Sequence, residues 1–168
     1  MLLKNKVIVV TGGNGLLGKS FVQAIYDSGG IPIIADINDS SKLNFEYVQL
    51  DITSKLSVVA AIQYIDSKYG RIDALINNAY PRNENYGRLF EDVDFSDFSD
   101  NLSMNLGGYF LTSQQFVKYF KSKNYGNIIN ISSIYGVVAP RFDVYKGTNM
   151  TTPVEYAAIK SALIHLTK

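Results

Sequence analysis

Short apolar runs alternate with amphipathic stretches from the first residues of the chain to the last, and that rhythm admits few folds. Val7-Ile8-Val9-Val10-Thr11 is a β-branched run closed by glycines, the pattern of a strand buried on both faces. Residues 16–28 follow with helical spacing, Leu17, Phe21, Ala24 and Ile25 forming one face and Gly29-Gly30 ending it. Further strands are predicted over 31–36, 45–50, 74–77 and 127–132. Between them, Ser54 is placed to cap a helix with Val58, Ala61, Ile62 and Ile65 on one face. Residues 80–92 read as a polar, aromatic loop, 95–123 as one long helix or two in succession, and 155–168 as a last helix. Strands that are apolar throughout, joined by helices, predict a doubly wound parallel α/β sheet in a single domain over 1–168.

Composition supports a folded core and excludes several classes. Of 168 residues, 46% are hydrophobic and 18% charged, too apolar for a disordered chain. A net charge of +1 gives no basic footprint for nucleic acid. No run approaches the length of a membrane span, and residues 1–7 lack a signal-peptide layout, so the cytoplasm is the expected compartment. Without cysteine there is no disulfide or thiolate metal site, and a single histidine, His165, argues against a histidine-based zinc centre or a Ser-His-Asp triad. No metal is expected.

Thr11-Gly12-Gly13-Asn14-Gly15-Leu16-Leu17-Gly18 lies between the first strand and the first helix. There a pyrophosphate meets free backbone N–H groups at a helix N-terminus, and glycine lets the backbone approach it closely. An ordinary glycine-rich turn is the alternative, but Asp36 ends the second strand 18 residues after Gly18, placed to accept from both hydroxyls of an adenosine ribose. The same carboxylate repels a 2′-phosphate, and no Arg or Lys stands beside it. The expected cofactor is NAD rather than NADP, on a Rossmann-type fold.

From this point the sequence resembles the short-chain dehydrogenase/reductase family over essentially its whole length. Asp51-Ile52 resembles the family's adenine-contacting pair, and Asn77-Asn78-Ala79 its cofactor-lining strand end, with Tyr80 where glycine is usual. Asn105 matches the catalytic-helix asparagine, Ser133 the catalytic serine, and Tyr156-Ala157-Ala158-Ile159-Lys160 the YxxxK motif. Ser132 stays open as the alternative serine. The resemblance implies catalytic Asn105, Ser133, Tyr156 and Lys160. It implies a cofactor held by Gly12, Asn14, Gly15, Leu17, Gly18, Asp36, Asp51, Ile52, Asn77, Asn78, Ala79, Tyr156 and Lys160. In those roles Tyr156 is the general acid or base, Ser133 holds the substrate oxygen, Lys160 also binds the nicotinamide ribose, and Asn105 positions a water.

The YxxxK motif alone is weak, because Tyr64/Lys68 and Tyr119/Lys123 repeat it. These two precede any serine-ended fifth strand and are expected to be solvated or packing pairs. Tyr156 and Lys160 follow that strand and share one helix face. His165 is expected to be structural. The aromatic residues at 90, 95, 98, 109, 116, 119 and 120 are expected in the core or a subunit interface.

Three departures from the family pattern carry further expectations. Glycines at 12, 15 and 18 match the extended branch, which includes sugar-nucleotide epimerases and dehydratases, whereas the Asn77 and Ser133 contexts match the compact branch. Ser133 and Tyr156 are 23 residues apart, and the inserted residues 140–149, like loop 80–88, combine aromatic with charged and amide side chains. Such loops suit a polyhydroxylated or phosphorylated substrate, unless they are plain surface loops. In this combination the chain is similar to a bacterial flagellin-modification group tied to nonulosonic (legionaminic-type) sugar synthesis. Family members run to about 250 residues, so a C-terminal part of the family fold is expected beyond Lys168, along with a homo-oligomer for the longer protein. The leading expectation is an NAD-dependent alcohol/carbonyl oxidoreductase acting on a small sugar-derived substrate. An epimerase or dehydratase, and a non-catalytic dinucleotide-binding protein, are the alternatives.

Overall fold

The computed structural model describes residues 1–39, 44–148 and 150–168. Five parallel strands form one sheet: β1 (Val7–Thr11), β2 (Ile31–Asp36), β3 (Glu46–Gln49), β4 (Ala74–Asn77) and β5 (Asn127–Asn130), in the order β3-β2-β1-β4-β5. Helices α1 (Leu16–Asp27), α2 (Lys55–Tyr69) and α4 (Gly108–Lys123) connect them. Right-handed crossovers put α1 on one face and α2 and α4 on the other, because the strand order reverses at β1. This is the doubly wound Rossmann arrangement that the apolar strands predict. β3 and β5 are each shorter than expected, by a residue at both ends of β3 and by two residues at the end of β5.

Within this fold the chain divides into two compact units, residues 1–80 with 109–131, and residues 81–108 with 132–168. The first contains the sheet. Ile8, Val10, Ile34 and Ile76 pack with Val22 and Ile25 of α1 into one core cluster. The strand pleat turns the equally buried Val7, Val9, Ile33 and Leu75 to the opposite face. Burying each such side chain contributes roughly 1.5–3 kcal/mol. Ser54 caps α2 as expected, its Oγ accepting from Ser57 N, and Val58, Ala61, Ile62 and Ile65 are that helix's buried residues.

The buried stripe of α1 differs from the expected one. It runs through Gly18, Val22 and Ile25, while Leu17 and Ala24 are exposed and Leu16 is 91% exposed. Gly18 has to face the glycine loop, and that rotates the helix away from the face its larger apolar residues suggest.

The second unit holds α3 (Phe95–Leu102), a π-turn over Ser103–Gly107, and α5 (Val154–Leu166). The backbone stays helical from α3 through the π-turn into α4. Short 3-10 turns at Phe90–Asp92, Ile134–Gly136 and Phe142–Tyr145 shape the loops. Of the aromatic set, Tyr109, Phe116 and Phe120 are buried, but Phe90 and Phe95 are exposed and belong to no core in this chain. Asn149, part of the predicted substrate loop, lies outside the described residues. Among the described residues no helix is long and apolar enough to cross a membrane.

Candidate active site

In the first unit, the predicted cofactor residues gather at the carboxyl ends of β1, β2, β3 and β4, around the point where the strand order reverses. Gly12 is left-handed at φ +63°, and a Cβ there would stand 2.8 Å from Ala79 Cα. A Cβ on Gly18 would stand 2.1 Å from Gly12 O, so the helix start and the loop touch without room for a methyl group. Gly15 precedes α1 and no side chain caps that helix. Asp36 Oδ2 accepts from Asn14 N at 3.1 Å, and Asn14 Nδ2 donates to Asn38 O at 2.6 Å, tying the loop to the end of β2. Asn14 Oδ1 is buried with no hydrogen-bond partner among the described residues. A glycine cradle with no room for a Cβ at Gly12 or Gly18, backbone donors at an uncapped helix start and a carboxylate acceptor at the β2 end are what a dinucleotide requires.

The remaining predicted cofactor residues divide by what their side chains do. Asn78 Nδ2 donates to Thr11 O and Gly12 O, while the N–H groups of Asn78 and Ala79 donate to Thr11 Oγ1. Asn77 is fully buried, and its Nδ2 donates to Ser113 Oγ and Asn130 Oδ1, both at 2.9 Å. These two asparagines therefore shape the strand ends. Asp51 Oδ1 accepts from Thr53 N and Thr53 Oγ1, Ile52 is buried, and Leu17 is exposed in the first turn of α1. Sequence reasoning missed the roles of Thr11, Ser113 and Asn130, on β1, α4 and β5, which appear only where those elements meet the end of β4.

In the second unit lie all four predicted catalytic residues. Tyr156 and Lys160 stand one turn apart on α5, with Lys160 Nζ 5.7 Å from the centre of the Tyr156 ring. Lys160 is only 4% exposed, and burial pushes its ammonium down from the ordinary lysine range to about 8. The turn at Ile134–Gly136 packs on this helix so closely that a Cβ on Gly136 would come within 2.7 Å of Lys160 O.

The two serines are distinguished here. Ser132 Oγ donates to Lys160 O at 2.7 Å, engaging its proton in holding α5. Ser133 Oγ accepts from Tyr135 N at 3.2 Å, capping the short turn, which leaves its own O–H a donor for another group. Asn105 sits in the π-turn, a helix irregularity common at functional sites. Its Nδ2 donates to Pro81 O and Asn101 O, and its buried Oδ1 has no hydrogen-bond partner among the described residues.

The loop after β4 departs from the reading that its polar residues face a substrate. Asn83 and Asn85 donate to Asp97, and Arg88 pairs with Asp94 and Asp97, so these side chains turn inward on α3. The half-buried amides of Asn83 and Asn85 find their partner in Asp97 of α3. A separate cleft of about 460 Å³ opens in this unit between Phe90 and Glu91 on one side and Phe142, Tyr145, Lys146 and Met150 on the other. The two other Tyr/Lys pairs lie in the first unit. Each shares a carboxylate, Glu46 for Tyr64 and Lys68, Asp66 for Tyr119 and Lys123. His165 is exposed in the last turn of α5.

The chain is similar to known proteins over most of its length. The short chain dehydrogenase family profile matches residues 6–168. The chain is 40% identical to the post-translational flagellin modification protein A of Campylobacter coli over 98% of its own length and 70% of that protein's. It is 29% identical to the 7alpha-hydroxysteroid dehydrogenase of Bacteroides fragilis, covering 98% of itself and 64% of the relative. A short chain dehydrogenase from Leptospira borgpetersenii, solved with bound NAD+, superposes with a TM-score of 0.85 at 30% identity, over 98% of this chain and 64% of that one. The chain thus spans roughly two thirds of the length of these relatives.

Proposed function

Because the chain belongs to the short chain dehydrogenase family, a family of oxidoreductases, we propose that it interconverts an alcohol and a carbonyl, with Tyr156 moving the proton. The observation that carries this reading is the buried Lys160 ammonium beside the Tyr156 ring, one helical turn away. A positive charge held out of water stabilises negative charge that develops beside it as a proton moves. When bound, a nicotinamide cofactor supplies the hydride acceptor or donor. The chain's own residues orient and protonate. Tyr156 takes the proton from an alcohol or gives it to a ketone oxygen. Ser133 Oγ donates to that oxygen, which fits its accepting bond from Tyr135. Asn105 Oδ1, buried and unpartnered, is suited to accept from a water that exchanges protons with Lys160.

The cofactor is NAD in this reading. Asp36 offers its carboxylate to the ribose hydroxyls and opposes a 2′-phosphate, with Gly12, Asn14, Gly15, Leu17, Gly18, Asp51, Ile52, Asn77, Asn78 and Ala79 forming the rest of the cradle. The substrate is a small sugar-derived molecule. Support comes from the flagellin-modification relative. In this reading the reaction runs in the cytoplasm. A homo-oligomer belongs to the same reading, since Ile134, Val137 and Val138 are exposed, and light scattering reads its mass.

The test follows absorbance at the NADH band for wild type and Tyr156→Phe, with NAD and NADP offered separately. N-acetylglucosamine, UDP-N-acetylglucosamine and cholate serve as probes. Turnover of a sugar that needs NAD and vanishes in the variant is the expected result. Turnover of cholate alone overturns the sugar assignment, and turnover retained by Tyr156→Phe overturns the mechanism. Cofactor retained through purification with no net NADH formed favours the epimerase or dehydratase alternative, which the glycines at 12, 15 and 18 support.

A further inference from the structure

The loop after β4 and the helix that carries Tyr156 are joined through one side chain. Asn101, fully buried in the last turn of α3, accepts at Oδ1 from Asn83 N at 3.1 Å. Its Nδ2 donates to Asn83 Oδ1 at 3.2 Å and to Glu155 Oε1 at 3.0 Å. A primary amide has two N–H donors, and both are engaged, one toward the loop and one toward α5. The orientation is fixed by chemistry, since a flipped amide would set a donor against Asn83 N and an acceptor against the Glu155 carboxyl.

Asp97, four residues earlier on the same helix face, makes the loop's second anchor. Its Oδ1 accepts from Asn83 Nδ2 at 2.8 Å and Asn85 Nδ2 at 3.0 Å, and its Oδ2 meets Arg88 at 3.4 Å. Glu155 directly precedes Tyr156 and is 1% exposed. Its Oε2 has no hydrogen-bond partner among the described residues, so the bond from Asn101 is what compensates this carboxyl for leaving water. Removing that bond favours a rotation of the first turn of α5 that rehydrates Glu155, and Tyr156 turns with it.

Resting on the oxidoreductase reading above, we propose that Asn101 and Glu155 are positioning residues that couple the conformation of loop 81–88 to the orientation of Tyr156. A ligand that orders the loop then also sets the tyrosine, and an open loop leaves it loose. Neither residue touches the reacting atoms in this account.

Hydrogen exchange read by mass spectrometry tests the coupling without any turnover, so it can fail while the oxidoreductase reading stands, and the reverse. Peptides covering 81–88 and 154–160 are followed in wild type, Asn101→Ala, Glu155→Ala and Glu155→Gln, with the β1 peptide reporting global unfolding. Gln keeps an oxygen for Asn101 to donate to. The expected result is exchange at least tenfold faster in both peptides for Asn101→Ala and Glu155→Ala, and exchange within about twofold of wild type for Glu155→Gln. If Glu155→Ala does not fold, Asn101→Asp replaces it, turning the donor toward Glu155 into an acceptor, with the same two-peptide acceleration expected. Acceleration confined to 154–160, or Glu155→Gln behaving like Glu155→Ala, overturns the proposal.

Discussion

Tyr119 with Lys123 and Tyr156 with Lys160 are the same two residues at the same helical spacing, and they sit in opposite electrostatic settings. Between Tyr119 and Lys123 stands Asp66. It accepts from the Tyr119 hydroxyl at 2.6 Å and pairs with the lysine at 2.9 Å, while the same hydroxyl receives Ile72 N at 3.1 Å. Burial first, and then Asp66, hold the Tyr119 phenol far above the ordinary tyrosine range. Its proton is held toward Asp66, and Lys123 is ion-paired to the same carboxylate. Lys160 is instead buried against its tyrosine, with an ammonium pushed down to about 8. The spacing brings the residues together, and the neighbouring groups decide whether the pair fastens helices, as Tyr119 and Lys123 do through Asp66, or is left for the proton-transfer role proposed for Tyr156 and Lys160.

The largest expected consequence is a separation of stability from activity at Lys160. Lys160→Met lowers turnover at least 100-fold, yet leaves the fold as stable as wild type or more so. The sign follows from the shift: the folded value lies below the unfolded one of about 10.4, so the fold penalises the charged form. That cost, on the order of 3 kcal/mol, is fully present below about pH 8 and fades as pH rises through the unfolded value. Urea unfolding at pH 7 and pH 10 should show the Met variant's advantage shrinking at the higher pH.

The serines give the next effect. Ser133→Ala is expected to lose 100-fold or more in kcat, whereas Ser132→Ala releases Lys160 O and costs about 1 kcal/mol of stability with a kinetic loss near tenfold. Equal kinetic losses would show that the two hydroxyls are not divided as described. In the other pair, Tyr119→Phe removes the partner of Ile72 N and one bond to Asp66, a loss of about 1–3 kcal/mol with kcat unchanged. The smallest effect is on acid unfolding. Hydrogen bonds from Tyr119 and Lys123 hold Asp66 below the usual carboxylate range, so its stabilisation is present above the unfolded value and lost as pH falls through the folded one. Tyr119→Phe should flatten that part of the pH–stability curve, read by thermal melts between pH 3 and pH 6.

The sheet was legible because strands buried on both faces leave runs such as Val7–Thr11 that no other element explains. The candidate site was read from order along the chain, with Ser133 before Tyr156 and Lys160, and the structure brings these residues into one compact unit. What stayed hidden depends on partners distant in sequence. The buried face of α1 is set by Gly18 meeting Gly12, and a glycine leaves no mark in a hydrophobic pattern. Asn101 reads as one more polar helix residue, and its importance appears only once Asn83 and Glu155, 18 and 54 residues away, come to it. Phe90 and Phe95 are apolar but exposed, so apolar residue type alone did not locate the core.

The most direct test places the three tyrosines side by side. Tyr64→Phe, Tyr119→Phe and Tyr156→Phe are assayed for NAD reduction with one alcohol substrate, each at a temperature where circular dichroism shows it folded. The account predicts a loss of at least 1,000-fold for Tyr156→Phe and less than threefold for the other two. Comparable losses in all three, or activity surviving in Tyr156→Phe, would contradict it.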